Sequence, residues 1–160
     1  MENSKNKKTI LVFSGDIDKA LAAFVIANGA LAMDDEVTMF FAFWGLNILR
    51  RPEKVKTKKS FMEAMFAWMM PRGAGKLGMS KMNFGGMGAW MMKLMMKQKK
   101  VDSIGGMIKT AQEAGARMIV CTMSMDVMGF KEEEFIDGVE FAGVATYLAE
   151  ASEADVNLFI

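Results

Sequence analysis

Short apolar runs alternate with amphipathic stretches along the chain. Residues 9–13 (TILVF) are continuously apolar after a charged leader, which predicts a strand buried on both faces. Ser14-Gly15-Asp16 then supplies a turn and a helix N-cap. Residues 17–33 carry Leu21, Phe24, Val25, Ala27, Leu31 and Ala32 at helical spacing, broken only by Gly29. Residues 36–43 (EVTMFFAF) are again nearly all apolar and rich in residues that favour strands. Strand, helix and strand in that order predict a βαβ unit with a right-handed crossover.

The middle of the chain breaks this rhythm. Residues 46–51 close against Pro52, and 54–59 read as a solvated basic linker. Ser60 opens a helical run, FMEAMFAWMM, that stops at Pro71. Six glycines between positions 72 and 88 predict an irregular excursion, and residues 89–96 form an apolar helix ended by KQKK. Residues 53–100 thus read as one long methionine- and glycine-rich insertion.

Regular patterning resumes over 103–115, a helix with Ile104, Met107, Ile108 and Ala111 on one face and Gly115 as its stop signal. Residues 118–121 (MIVC) predict a third strand, left through a short polar, methionine-bearing stretch over 122–128. Residues 131–135 begin another helical piece. Residues 139–151 read as a helix with Phe141, Val144, Ala145 and Leu148 inward, and 156–160 (VNLFI) as a closing strand. The sum is one α/β domain over residues 1–160, three-layer α/β/α with a mostly parallel sheet.

Composition sharpens the picture of the insertion. Methionine occurs 19 times in 160 residues, and 11 of these fall between Met62 and Met96. The net charge of +1 conceals segregation: positions 50–100 hold 13 Lys and Arg against two acids, a local +11 in an otherwise acidic chain. Charged residues interrupt every apolar window before it reaches the ~18 residues needed to cross a bilayer. The start MENSKNKK lacks the apolar core of a signal peptide, and one cysteine permits no internal disulfide; both point to the cytoplasm. The absence of histidine excludes Ser-His-Asp and Cys-His catalysis and removes the commonest transition-metal ligand. No metal or cofactor is expected.

The single cysteine, Cys121, ends an apolar strand and opens CTMSMDVMG. In open parallel sheets ligands bind outside the carboxyl ends of the strands, where Cys121, Ser14 and Trp44 are expected to converge. Ser14, Gly15, Trp44, Arg50 and Ser124 are the candidates to line a pocket there. The competing reading is that Cys121 is inert packing, because cysteine is among the most buried residue types. A working thiolate needs stabilisation from backbone N–H groups of the following turn or helix, or from a cation; Arg50 and Arg51 follow the second strand closely. Asp126 reads as a turn or cap residue, since its charge near the thiol would oppose ionisation.

The glycine-rich part fails as a nucleotide loop. GAGKL lacks the upstream glycine, carries Leu77 where Ser or Thr would bind magnesium, and follows no strand; GGMGAWM lacks the third glycine of the dinucleotide fingerprint. Methionines and tryptophans beside lysines (Trp68, Met69, Trp90, Met91) suit an adaptable docking surface or an anionic membrane, or packing between the two helices or subunits. Nucleic acid is not expected, because the rest of the chain is acidic.

Taken together, EVTMFFAFWGL, the arginine pair after it, MIVCTMSMDVMG and the ending ADVNLFI resemble the DsrE/DsrF-like sulfur-carrier proteins, specifically the branch labelled DsrE-like or peroxiredoxin-like. The resemblance covers nearly the whole chain, most specifically from Cys121 to Gly129. It implies a three-layer α/β fold, homo- or hetero-oligomers, and a cysteine carrying sulfur as a persulfide. It also implies exchange with a TusA-type carrier or a rhodanese in the cytoplasm. Only Cys121 carries over as the acceptor; some relatives use a second cysteine, so an intramolecular disulfide or a two-cysteine peroxidase cycle is excluded here. Relatives with this methionine-rich insert look membrane-associated. The expectation is therefore a sulfur carrier or sulfurtransferase working through Cys121. The alternative is a non-catalytic assembly protein docking on a membrane or partner through the insert.

Overall fold

A computed structural model describes residues 5–160; the first residues of the charged leader lie outside it. Five strands form one sheet: β1 (Lys7–Val12), β2 (Glu36–Phe41), β3 (Arg117–Cys121), β4 (Glu140–Ala142) and β5 (Val156–Phe159). Their order is β4-β3-β2-β1-β5, and every pairing is parallel. The sheet expected to be mostly parallel is wholly so.

Alternation along the strands divides the core into two faces. Ile10, Val12, Val37, Met39, Phe41, Met118 and Val120 join the larger cluster, covered by α1 (Ile17–Ala32) and α4 (Ile104–Glu113). These helices pack through Ala20, Ala23, Phe24, Ala27, Met107 and Ala111, and Asn28 Nδ2 donates to the Met107 carbonyl at 3.2 Å. The opposite face carries the smaller cluster, Phe40, Ala42, Ile119 and Cys121. There α6 (Val144–Glu153) lays Tyr147 on Phe40, ring centroids 5.1 Å apart. Helices on both faces make the three layers.

Local chemistry sets the element ends. Asp16 is the extended N-cap of α1, and the first helical amide, of Ile17, donates to the Gly78 carbonyl at 2.7 Å, which ties the glycine-rich segment to the sheet's carboxyl edge. Ser60 and Glu63 form a reciprocal capping box at the start of α2 (Phe61–Met69). The excursion between α2 and α3 (Met87–Gln98) contains two short 3-10 turns, Ala74–Lys76 and Phe84–Gly86. A 3-10 helix, Phe43–Leu49, follows β2, and the stretch after β3 is a short helix, α5 (Thr122–Val127). The helical piece expected over 131–135 is the 3-10 turn Glu132–Glu134.

One expectation is corrected. The segment 139–151 is not a continuous helix: Glu140–Ala142 is the edge strand β4, Gly143 is extended, and α6 starts only at Val144. Two interactions hold β4 flat. Arg117 of β3 donates from Nε and Nη2 to the Glu140 carboxylate at 3.0 and 2.8 Å, and Phe141 packs edge-on against Phe135 at 5.7 Å. Tertiary pairing overrides a spacing that mimics a helix.

Candidate functional site at the carboxyl edge of the sheet

Cys121 is the last residue of β3 and the N-cap of α5, with extended backbone (φ −68°, ψ 115°). It is 3% exposed and shares an apolar cluster with Phe40, Ala42 and Ile119, against which Phe43, Ala142 and Tyr147 pack. Phe43 sits at φ +48°, a left-handed conformation rare for a bulky residue. Such outliers persist only where the surroundings over-determine them. The turn that holds it runs close against the end of β1: the Gly45 amide donates to the Phe13 carbonyl at 2.9 Å, and a Cβ on Gly45 would fall 2.1 Å from the Val12 carbonyl oxygen.

Ser124, one turn into α5, is fully buried, and its Oγ has no hydrogen-bond partner. Unpaired buried hydroxyls are uncommon because desolvation is not repaid. It stands at the third position of α5, the place whose side chain in a capping box reaches back to the N-cap residue, here Cys121.

Ser14, Gly15 and Trp44 come together elsewhere along the same edge. They line a cleft of about 930 Å3 whose far wall is Asn83, Trp90 and Lys93 of the 53–100 segment. The β1 and β2 ends meet closely: a Cβ on Gly15 would lie 2.6 Å from the Trp44 carbonyl oxygen. Cys121 and Ser124 are not among the cleft's lining residues. The expected convergence thus resolves into two neighbouring places, with Phe43 packed against both core clusters between them.

Arg50 is in neither. Its fully buried guanidinium lies 4.1 Å above the Phe130 ring and reaches Glu134 Oε1 at 3.5 Å. Arg72 approaches the same oxygen at 3.3 Å and Lys59 approaches Oε2 at 2.5 Å. The Lys131 amide also donates to Oε2, at 2.9 Å. Burial opposes the Glu134 charge, but Lys59, the Lys131 amide and Arg50 hold its carboxyl below the usual range. Burial and the neighbouring Arg72 push the Arg50 guanidinium down to about 10. Arg51 is engaged separately, donating to the Phe135 carbonyl at 2.6 Å and pairing with Asp137 at 2.5 Å.

Glu134 escapes sequence reasoning because residues 131–135 read only as the start of a helical piece, with nothing to single out one of three consecutive glutamates. The usable signal was its flanks, Phe130 and Phe135, both buried. Among the described residues no group of three or more Cys, Asp and Glu side chains is placed to hold a metal ion.

Comparison with known proteins adds ancestry to this geometry. Residues 4–159 match the model of the DsrE/DsrF/DrsH-like family. Over 160 residues the chain is 53% identical to YrkE of Bacillus subtilis, with both sequences covered completely. It is 36% identical to the sulfur carrier protein DsrE2 of Allochromatium vinosum, covering 98% of this chain and 99% of that one. Two solved structures share the fold at 12% identity. MTH1491 from Methanobacterium thermoautotrophicum has a TM-score of 0.60, with 98% of this chain and all of that one covered. The ychN protein from E. coli has a TM-score of 0.55, with 96% and 99% covered.

Proposed function

The chain belongs to the DsrE/DsrF/DrsH-like family, and from that premise we propose that it is a sulfur carrier using Cys121. The observation that carries the reading is the placement of its only cysteine at the carboxyl end of β3, heading α5, in a chain 36% identical to a sulfur carrier protein.

In this reading the Cys121 thiolate attacks the outer sulfur of a donor persulfide or polysulfide. A Cys121 S–S bond forms, the donor's S–S bond breaks, and the donor thiolate, or sulfite where the donor is thiosulfate, leaves with the electron pair. An acceptor thiolate then attacks the outer sulfur of the Cys121 persulfide and releases Cys121 as thiolate. Two exchanges balance without an external oxidant. Arg50 is committed to Glu134, and with the cover closed neither Ser124 nor an α5 amide bonds the thiol; once the cover shifts, the unpartnered Ser124 hydroxyl and the first amides of α5 are the donors that stabilise the thiolate. The apolar cover of Phe43 and Tyr147 shields the persulfide and must shift for a partner to reach it. A TusA-type carrier or a rhodanese suits the exchange, in a cytoplasmic homo-oligomer.

Mass spectrometry after incubation with polysulfide or thiosulfate tests the proposal. Addition of sulfur mass to the wild type and none to Cys121→Ser is the expected outcome. Absence of addition, or equal addition to both, overturns it.

A second reading rests on the surface of α2 and α3. Phe61, Met62 and Trp68 are 82%, 74% and 78% exposed on a helix that is apolar nearly all round, with Trp90 and Met95 exposed on α3. A helix of that composition ordinarily has a cover. No helix among the described residues is long and apolar enough to cross a membrane, so the cover in this reading is a membrane surface or a docked partner. Co-sedimentation with anionic vesicles tests the membrane version: binding lost in Phe61→Ser/Trp68→Ser/Trp90→Ser supports it, and absent or unchanged binding removes it.

A further inference from the structure

The ion cluster around Glu134 is unbalanced. One carboxylate, 1% exposed, meets three cations, Arg50, Lys59 and Arg72, which leaves two positive charges in excess in a largely desolvated place. The excess continues outward. A cleft of about 700 Å3 opens over the cluster, and its lining includes Lys54, Lys56, Lys59, Arg72 and Lys76, with Glu134 as the only acidic side chain. Lys54, Lys56 and Lys76 form no ion pair among the described residues.

Nearby acids do not correct the balance. Arg72 Nη1 donates to the Glu53 main-chain carbonyl at 3.2 Å, which leaves that side chain out of the contact. Glu63 is held by the Ser60 amide at 2.7 Å and by Lys131 at 3.7 Å. The Glu134 carboxylate has no capacity left, since Arg50 and Arg72 share one oxygen and Lys59 and the Lys131 amide the other. Lys59 Nζ, with its side chain 9% exposed, meets only one carboxylate oxygen although it carries three N–H bonds. Concentrated positive charge in a partly desolvated cleft attracts anions more strongly than the same charge on an open surface.

We infer that the cleft over Glu134, walled by Lys54, Lys56, Lys59, Arg72 and Lys76, binds a tetrahedral dianion of the phosphate and sulfate class, either free or as a lipid headgroup. Five cations against one carboxylate leave the cleft lining strongly positive, which a dianion offsets in part, and its oxygens can accept from the Lys54, Lys56 and Lys76 ammoniums, which no carboxylate among the described residues engages. Cys121 does not line this cleft, so the inference does not rest on the proposed use of its thiol.

Calorimetric titration of the full chain with inorganic phosphate and with sulfate, at constant ionic strength set by chloride, tests the site. Saturable binding of either, weakened about tenfold or more by Lys54→Gln/Lys56→Gln/Lys76→Gln and unchanged by Lys109→Gln, is expected. The triple variant alters exposed side chains outside the buried cluster, so its folding is checked by an unchanged far-UV spectrum. A parallel arm uses phosphatidylcholine vesicles with and without phosphatidic acid. Binding that requires phosphatidic acid and is lost in the triple variant identifies a headgroup; binding of free anion without vesicle preference identifies a soluble one. A response to both anions no larger than to chloride, with vesicle binding absent or equal in the triple variant, overturns the proposal.

Discussion

Cys121 lies opposite Ala142 in the last paired position of the β3–β4 ladder. The thiol-bearing residue is therefore bordered by the end of β2 on one side and by a three-residue edge strand on the other. Above it the cover is Phe43 and Tyr147, and Phe43 is held at φ +48°. Access to the thiol is then a matter of local opening in a strained turn rather than of global unfolding.

Phe43→Gly relaxes that backbone and removes the ring in one change. Iodoacetamide is expected to label Cys121 several-fold faster in this variant than in the wild type, with far-UV circular dichroism unchanged. An unaltered labelling rate would mean that the thiol is reached past β4 instead.

Glu134→Gln leaves buried Arg50 and the largely covered Lys59 and Arg72 around a neutral group. Breaking a buried pair by removing one partner costs about 3–5 kcal/mol, because the remaining charges stay desolvated. A loss of this size in urea denaturation is expected, against less than about 1 kcal/mol for Asp137→Asn, whose pair with Arg51 is mostly exposed.

The same carboxylate gives acid sensitivity with a definite sign. Its folded pKa lies below the ordinary 4.5. A carboxyl of this kind adds stability above its unfolded pKa and loses it as pH falls through the folded value. Melting temperature of the wild type should drop on acidification through this window, and that of Glu134→Gln should drop less steeply. The exposed pairs Lys7–Glu153 and Arg117–Glu140 are common to both proteins and cancel in the comparison.

How much of this was legible in the sequence depended on whether the signal was local. The cores of β1, β2 and β3 were readable as apolar runs, and α4 as a one-sided stripe, because burial imprints composition directly. β4 was hidden because Phe141, Val144, Ala145 and Leu148 imitate a helical period, whereas its strand character comes from parallel pairing with β3, supported by the Arg117–Glu140 contact across 23 residues. Arg50 and Glu134 were hidden for a related reason. Their contact spans 84 residues; Arg50 reads as a candidate partner of the thiol because it follows β2 closely, and Glu134 lies in a segment that reads only as a helical piece. The carboxyl-edge placement of Cys121, Ser14 and Trp44 followed from topology, but their division between a covered thiol and an open cleft depends on the turn at Phe43.

That turn makes a last prediction possible, because it separates two glycines by what surrounds them. At Gly45 an added methyl would sit 2.1 Å from the Val12 carbonyl oxygen, and the atom it meets is main chain at the end of a central strand, unable to move aside. At Gly29, inside α1, a methyl would meet nothing within 4 Å. Overpacking against rigid structure costs about 1–3 kcal/mol or more, whereas glycine in a helix interior is worse than alanine by roughly 0.5–1 kcal/mol. Gly45→Ala is therefore expected to destabilise and to disturb the cover over Cys121, seen as faster alkylation. Gly29→Ala is expected to raise the melting temperature and leave alkylation unchanged. Equal effects from the two substitutions would mean that the Phe43–Leu49 turn yields readily, and that the strain at Phe43 does not come from the contact between Gly45 and Val12.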